Sequence, residues 1–271
     1  MTRWALGVEY DGACFSGFQR QAAPIQSTVQ GELERALGRI ADHPVTVVCA
    51  GRTDAGVHAT GQVVHFDSAS PRNQRDWVRG GNSLTDPAIC IHWARIVADD
   101  FSARFSARWR RYLYLMTDRR PRQSLLRDRV ASVPGPLDAA RMGFAARALL
   151  GEHDFTSFRA ANCQATHARR EVQQVAVSRA GPLVALEIRA NAFLQHMVRN
   201  IAGSLLEVGR GERDPEWMEE LLVLRDRTRA GVAAPPEGLY LVAVGYEATS
   251  GLPEEPSTLA FPELLLGRRL P

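Results

Sequence analysis

An arginine and an aspartate two residues apart are the side chains of this sequence best suited to chemistry. Arg52 and Asp54 lie in a loop with two glycines, between β-prone runs at 47–50 and 62–66. Side chains two residues apart in an extended segment can lean to the same face, and a nearby guanidinium favours an ionised carboxylate. Such a carboxylate can act as a nucleophile or a base. A surface ion pair in a glycine-bearing turn is the alternative interpretation.

The composition is that of a folded protein with one strongly basic segment. The chain has 271 residues, 45% of them apolar, enough for the core of one large domain or two ordinary ones. All 33 basic residues are arginine, and nine of them fall between Arg104 and Arg129 against two aspartates. This local excess indicates contact with a phosphate backbone, with a solvated basic face as the alternative.

Several classes of protein are disfavoured by what the sequence lacks. No apolar run approaches the length of a membrane span, and the N-terminus shows no signal-peptide pattern. The four cysteines are far apart with no CxxC, which suggests neither a zinc site nor a disulfide framework. Nucleotide-binding and metalloprotease motifs are also missing. We therefore expect a cytoplasmic protein with no cofactor, no metal and no membrane partner.

The element pattern predicts an α+β fold of two similar halves. The first half has the order β-α-β-β-α-β, and the second half repeats it with a helix predicted at 192–207 and one more helix before the last strand. This order is typical of ferredoxin-like, split βαβ units. We expect the halves to join in one mainly antiparallel sheet with helices on one face and a cleft between the halves. The predicted divisions are 1–103, 104–250 and a proline-rich extended tail, 251–271.

The loop and the strand after it carry a longer signature. GRTDAGVH at 51–58, followed by GQVVHF at 61–66, resembles the active-site signature of the tRNA pseudouridine synthase A family. That family isomerises uridines at tRNA positions 38, 39 and 40 in the anticodon stem-loop. The resemblance implies that Asp54 is the nucleophile and that Arg52 sits in the same pocket and helps to flip the target base.

Three further segments resemble the same family. RRYLY at 110–114 implies that Tyr112 stacks on the target uracil, although a strand tyrosine is more often a core residue. NAFLQHMVRN at 191–200 implies that Arg199 pairs with the catalytic aspartate, and GLYL at 238–241 implies that Leu239 closes the pocket.

The resemblance also implies the macromolecular partners. It predicts a homodimer that binds tRNA. The expected tRNA contacts are Arg72, Phe101, Ser102, Ala103, Arg104, Phe105, Arg120, Asn162, Cys163, Gln164, Ala165 and Thr166.

Two other functions remain open at this point. A non-catalytic protein that binds structured RNA would also have a basic surface, but its sheet strands lack the aromatic consensus of an RNA-recognition motif. A carboxylate hydrolase of another class would usually need a second carboxylate or an activating base near Asp54. Arginines are the expected neighbours of Asp54 instead.

Overall fold

The described residues of this computed structural model, 1–21, 26–120, 124–253 and 261–267, form the α+β fold that the sequence predicts. The strands are β1 (Thr2–Tyr10), β2 (Val48–Cys49), β3 (His58–Ser68), β4 (Ile89–Ile96), β5 (Trp109–Thr117), β6 (Ala131–Ser132), β7 (Gly151–Asp154), β8 (Arg169–Ala180), β9 (Leu183–Ala190) and β10 (Leu239–Gly245). The helices are α1 (Val29–Ala41), α2 (Gln74–Leu84), α3 (Ala139–Ala146), α4 (Met197–Gly209), α5 (Trp217–Leu224) and α6 (Phe261–Leu266). Two units result: Met1–Arg108 with Tyr240–Thr258, and Trp109–Leu239 with Leu259–Pro271.

In the first unit, β1 is the central strand. It pairs antiparallel with β3 on one side and with β4 on the other, and β2 pairs antiparallel with β3. The start of β3 also pairs in parallel with β10, where Tyr240 lies opposite His58. The predicted order β-α-β-β-α-β is confirmed by β1, α1, β2, β3, α2 and β4.

The helices of the first unit pack on the sheet through large apolar side chains. Trp77 of α2 is fully buried and meets Phe66 of β3 edge to face, with ring centroids 4.9 Å apart. Its ring also lies 6.0 Å from that of Trp4 in β1. Leu33 and Leu37 of α1, one helical turn apart, are fully buried as well. These contacts fix the sheet that carries the Asp54 loop.

The second unit is built on the antiparallel run β5, β9, β8 and β7, with β6 pairing in parallel with β5. In its longest helix, α4, apolar residues recur at helical spacing. Met197, Ile201, Leu205 and Val208 are all buried. The helix is therefore a core element, and it holds Arg199 in its first turn.

The structure corrects the boundary of one predicted helix. The apolar repeat predicts a helix from residue 192, whereas α4 begins at Met197. His196, just before it, has a φ of 61°, in the left-handed region, so the helix cannot continue backwards through it. The segment before it is held as a loop, in which the Gln195 carbonyl accepts from the Ala160 N–H at 2.9 Å.

The division of the chain also differs from the predicted one. The first unit extends to Arg108 rather than 103, and it includes Tyr240–Thr258, of which the sequence prediction places residues up to 250 in the second half and the rest in the tail. The reason is the parallel pairing of β10 with β3, a contact that strand periodicity cannot reveal. In the expected extended tail, Phe261–Leu266 is helical instead. Pro262 is compatible with this helix because the N–H groups of its first turn have no intrahelical partner. Residues 254–260 and 268–271 of that prediction lie outside the described residues.

None of the helices in the described part of the chain is long and apolar enough to cross a membrane.

Candidate active site

The loop between β2 and β3, residues 50–57, is held by backbone hydrogen bonds along its length. At its start the Ala50 N–H donates to the Val63 carbonyl at 2.8 Å. At its end Val57 donates to the Asp54 carbonyl at 3.1 Å, in a turn where Gly56 has a φ of 77°. A left-handed residue at that point favours glycine. The Asp54 backbone is therefore part of a closed turn.

A second loop, residues 12–18, packs against the first. The Phe18 N–H donates to the Thr53 carbonyl at 3.0 Å. Gly17, with a φ of 98°, lies where a Cβ would stand 3.0 Å from the same carbonyl oxygen, so only glycine suits this close contact. The two loops fix each other.

A buried polar network lies behind Asp54. The Tyr10 hydroxyl is 2.8 Å from Thr53 Oγ1, and Gln62 Nε2 donates to that Tyr10 hydroxyl at 3.2 Å. Gln62 also bonds both backbone groups of Gly51, donating to its carbonyl at 2.7 Å and accepting from its N–H at 3.4 Å. Gln62 is completely buried, so these bonds form away from competing water. The network locks the chain on the N-terminal side of Asp54.

The side chains of the loop alternate between inside and outside. Thr53 faces the network and is buried, whereas Asp54 is half-buried and Arg52 is exposed. Within the described residues Arg52 forms no ion pair with Asp54. The surface ion pair of the alternative interpretation is therefore not formed. What the loop does provide is a carboxylate on a rigid backbone with access to solvent.

The C-terminal end of the 50–57 loop leads directly into His58, whose ring is held by three neighbours. His58 Nδ1 lies 3.1 Å from the Gly12 N–H and 3.2 Å from an oxygen of Asp11. The ring stacks on Tyr240 of β10, with centroids 4.7 Å apart and planes at 21°. The parallel strand β10 thus supports the segment that follows Asp54.

In the second unit, Tyr112 and Tyr114 occupy the same face of β5, as alternation predicts. Tyr114 is fully buried and its hydroxyl donates to the Pro235 carbonyl at 2.9 Å. Burial raises the Tyr114 pKa above its ordinary value. Tyr112 is 7% exposed and meets Phe193 edge to face at 4.9 Å. Both tyrosines are thus buried, Tyr114 completely and Tyr112 nearly so.

Arg199 is oriented by the loop between α5 and β10, residues 225–238, which closes over the first turn of α4. Its Nε donates to the Ala234 carbonyl at 2.8 Å, and the Ala234 N–H donates to the Arg199 carbonyl at 2.9 Å. The side chain is half-buried. Leu239, also expected in the pocket, is 5% exposed at the start of β10.

Arg227 ties this loop to α4, and sequence reasoning did not identify it. Its guanidinium donates to Asn200 Oδ1 at 2.9 Å and to the carbonyls of Ala230 and Gly231 at 3.3 and 3.2 Å. Asn200 is buried next to Arg199 and donates to the Phe158 carbonyl at 2.7 Å. In a sequence with many arginines, no local pattern marks Arg227 as the residue that holds this loop.

Most of the expected tRNA contacts lie on the surface. The side chains that are exposed are Arg72, Arg104, Phe105, Arg120, Asn162, Gln164 and Thr166, and those that are half-buried are Ser102, Cys163 and Ala165. The Arg104 guanidinium lies over the Phe105 ring at 5.2 Å, which presents a flat cationic surface.

Phe101 and Ala103 are the exceptions, because both are core residues. The Phe101 ring packs 5.2 Å from that of Tyr246 and 6.2 Å from that of His65. Ala103 is fully buried, donating its N–H to His65 Nδ1 at 3.1 Å and accepting from the Tyr246 hydroxyl at 2.7 Å. Their side chains support the exposed Arg104 and Phe105 rather than offering a surface of their own.

Metal-binding and disulfide chemistry have no visible basis in the described residues. No group of three or more histidine, cysteine or acidic side chains there could hold a metal ion. Cys14, Cys49, Cys90 and Cys163, all of them in the described residues, form no disulfide.

Comparison with known proteins identifies the family. The family model described as tRNA pseudouridine synthase matches residues 7–106 and 145–247. The chain belongs to this family. A tRNA pseudouridine synthase A of Pseudoalteromonas atlantica is 52% identical over 252 residues, covering 93% of this chain and 95% of the relative. Proteins of the same name in Vibrio cholerae and Xanthomonas euvesicatoria are 52% and 51% identical, covering 94% and 93% of this chain and 96% and 98% of theirs.

The matched segments of the tRNA pseudouridine synthase model contain some of the expected site residues. Asp54 and Arg52 lie in the first segment, and Arg199 and Leu239 lie in the second. Tyr112 falls in the interval between the two. Among solved structures, a chain of a Cbf5-Nop10-Gar1 complex covers 75% of this chain and 45% of its own length at 12% identity, with a TM-score of 0.37, too low to support an argument.

Proposed function

We propose that the protein converts uridines at positions 38, 39 and 40 of the tRNA anticodon stem-loop to pseudouridine, with Asp54 as the nucleophile. Membership of the tRNA pseudouridine synthase family gives the reaction class. The observation that carries the assignment of Asp54 is its setting: a half-buried carboxylate on a turn locked by the network of Tyr10, Thr53 and Gln62. A nucleophile held in this way needs little reorganisation on the way to the transition state.

The reaction is an isomerisation, so its atoms balance without a second reactant. The bond between C1′ and N1 of the uridine breaks, a bond between C1′ and C5 forms, and the proton at C5 is replaced by one at N1. Asp54 attacks the nucleotide so that the base is released and can rotate. No electrons are gained or lost overall, and the proposal requires no cofactor.

The remaining roles concern the flipped base. Taking a uridine out of its stack costs a few kcal/mol, and the exposed Arg52 side chain is suited to fill the vacated space and pair with phosphates. Tyr112 stacks on the freed uracil so that it turns without escaping, a role that a flat aromatic ring can fill. Leu239 closes the pocket.

Arg199 completes the proposal as the arginine that pairs with the catalytic aspartate, as the family resemblance implies. The fixed Nε of Arg199 and the loop that holds it support this role, since a guanidinium with one nitrogen anchored has few orientations left for the others.

Transcripts of an anticodon stem-loop test the proposal. One transcript carries uridine at 38, 39 and 40, and a matched control carries cytidine there and uridine elsewhere in the loop. We expect pseudouridine at the three positions of the first transcript and none in the second. Tight binding of both transcripts without any pseudouridine would instead support the non-catalytic RNA-binding protein.

We also propose that the enzyme acts on tRNA as a homodimer in the cytoplasm. The family resemblance supports the dimer, and four cysteines without a disulfide suit a reducing compartment. Sedimentation equilibrium measures the assembly directly, and a mass of 29.9 kDa at micromolar concentration would rule the dimer out.

A further inference from the structure

The phenol of Tyr114 on β5 is a buried polar group that takes no part in the reaction as proposed. The side chain is completely buried, and its hydroxyl donates to the Pro235 carbonyl at 2.9 Å. A tyrosine at such a position buries a hydroxyl that phenylalanine would not, and the cost of that burial has to be offset by a hydrogen bond. The bond therefore ties the backbone of the 225–238 loop to the sheet.

The carbonyl that Tyr114 holds comes directly after the residue that orients Arg199. The Ala234 carbonyl accepts from Arg199 Nε at 2.8 Å, and the Ala234 N–H donates to the Arg199 carbonyl at 2.9 Å. Between the two carbonyls stands Pro235, whose ring fixes its φ. A displacement of the Pro235 carbonyl would therefore displace the Ala234 carbonyl as well.

The same strand holds the loop at a second point, Gly238. A Cβ at Gly238 would stand 2.2 Å from the carbonyl oxygen of Leu115, the residue that follows Tyr114 on β5. The backbone of Gly238 thus lies directly on the strand, which suits glycine alone. Segment 235–238 is therefore fixed to β5 at both ends, once by a hydrogen bond and once by close packing.

The surroundings of Tyr114 keep its hydroxyl protonated, so it remains a donor. Burial, followed by the negative charge of Glu237, raises the Tyr114 pKa well above its ordinary value. The positive charge of Arg199 acts in the opposite direction and is the weaker influence. The bond to Pro235 is consequently present throughout the neutral pH range.

We propose that Tyr114 is a positioning residue for the reaction, whose hydroxyl fixes the guanidinium of Arg199 through the backbone of the 225–238 loop. This inference rests on the proposed function for the role of Arg199. Tyr114 itself does not touch the substrate. Loss of its hydroxyl should therefore slow the reaction and leave the binding of tRNA unchanged.

Tyr114→Phe tests the proposal, because it keeps the ring in the core and removes only the hydroxyl. Turnover is measured on a full-length tRNA transcript, with pseudouridine counted at every position. We expect kcat to fall by at least about fivefold while KM changes little, since an interaction needed only for the reaction has been loosened. A kcat near that of the wild type would overturn the proposal.

Thr117→Val is the matched control on the same strand. Thr117 is buried, and its hydroxyl donates to the Pro182 carbonyl at 3.1 Å, away from the 225–238 loop. Both variants therefore lose a buried bond from a hydroxyl to a carbonyl, and urea denaturation compares their losses of stability. The kcat of Thr117→Val should stay near that of the wild type. An equal fall in kcat for the two variants would assign the effect to stability and overturn the positioning role.

A measurement that needs no turnover follows Arg199 itself. In protein labelled with ¹⁵N-arginine, the Nε–H signal of Arg199 is identified by its disappearance in Arg199→Lys. Its hydrogen exchange should be severalfold faster in Tyr114→Phe than in the wild type or in Thr117→Val, because the bond to the Ala234 carbonyl opens more often. Equal exchange in all three proteins would overturn the proposal.

Failure of the proposed function gives a different pattern of results. Pseudouridine at tRNA positions other than 38, 39 and 40, or pseudouridine formed by Asp54→Asn, would contradict the proposed function. The exchange of the Arg199 Nε–H and the ratio of kcat values at the positions that are modified would still decide whether Tyr114 positions Arg199.

Discussion

At the scale of single residues, the sequence identifies Asp54 but not the partners that hold its loop. The signature GRTDAGVH marks the aspartate directly. Tyr10, by contrast, lies 43 positions before Thr53, and Gln62 lies 52 positions after Tyr10. Only folding brings their polar groups together. Arg52 and Asp54 show the reverse limit, since two oppositely charged residues close in sequence do not form an ion pair.

Gln62→Leu tests the network. The variant keeps the volume but removes the hydrogen bonds to Gly51 and to the Tyr10 hydroxyl. Because Gln62 is completely buried, we expect a loss of about 1–3 kcal/mol in the free energy of unfolding and a lower kcat. Urea denaturation and single-turnover kinetics measure the two effects. Gln174→Leu, at an exposed position on β8, is the control and should change neither; equal stability of the two variants would contradict the role of the network.

His65 makes stability depend on pH. Burial, followed by the nearby Arg3 charge, lowers its pKa below the ordinary value of 6.5. The folded state therefore binds fewer protons than the unfolded state, so the contribution of His65 to stability is fully present above 6.5 and is lost as the pH falls through the lowered pKa. His65→Gln can still accept from the Ala103 N–H. We expect its free energy of unfolding to fall less steeply below pH 6.5 than that of the wild type, and parallel curves would contradict the assignment.

At the scale of elements, strands and helices with regular apolar spacing were predicted well, whereas caps and covering loops were not. The order in the first unit was correct because each element has its own periodicity. The start of α4 was wrong because one left-handed residue, His196, ends a helix whose apolar repeat continues beyond it. The loop over Arg199 has no periodicity, and its role depends on contacts across 35 residues.

Arg227→Ala tests that loop. Removing its guanidinium releases Asn200 Oδ1 and the carbonyls of Ala230 and Gly231, so Arg199 should be held less firmly. We expect kcat to fall by at least tenfold, equivalent to about 1.4 kcal/mol in the barrier, while KM changes little. Arg229→Ala removes an exposed charge in the same loop and should leave both constants near wild type. An equal fall in kcat for the two variants would mean that the loss of positive charge, and not the loss of the contacts that position Arg199, slows the reaction.

At the scale of the whole molecule, the fold class followed from the sequence, but the division into units did not. The predicted strands and helices specify two halves, and the antiparallel strand pairs of both are present. The last strand is the exception, because β10 joins the first unit from Tyr240 by pairing with β3. Such parallel pairing between distant segments leaves no local trace in the sequence. The unit that contains Asp54 is consequently completed by a strand from late in the chain.

The most direct test of the central claim is Asp54→Asn, assayed on an anticodon stem-loop transcript for both binding and pseudouridine. The substitution keeps the size of the side chain and removes its negative charge and nucleophilicity. Asp42→Asn, at an exposed residue whose φ of 59° asparagine tolerates, is the matched control. We predict that the Asp54 variant binds the transcript about as tightly as the wild type and forms no pseudouridine, while the control remains active. Pseudouridine formed by Asp54→Asn at a rate near that of the wild type would contradict the account.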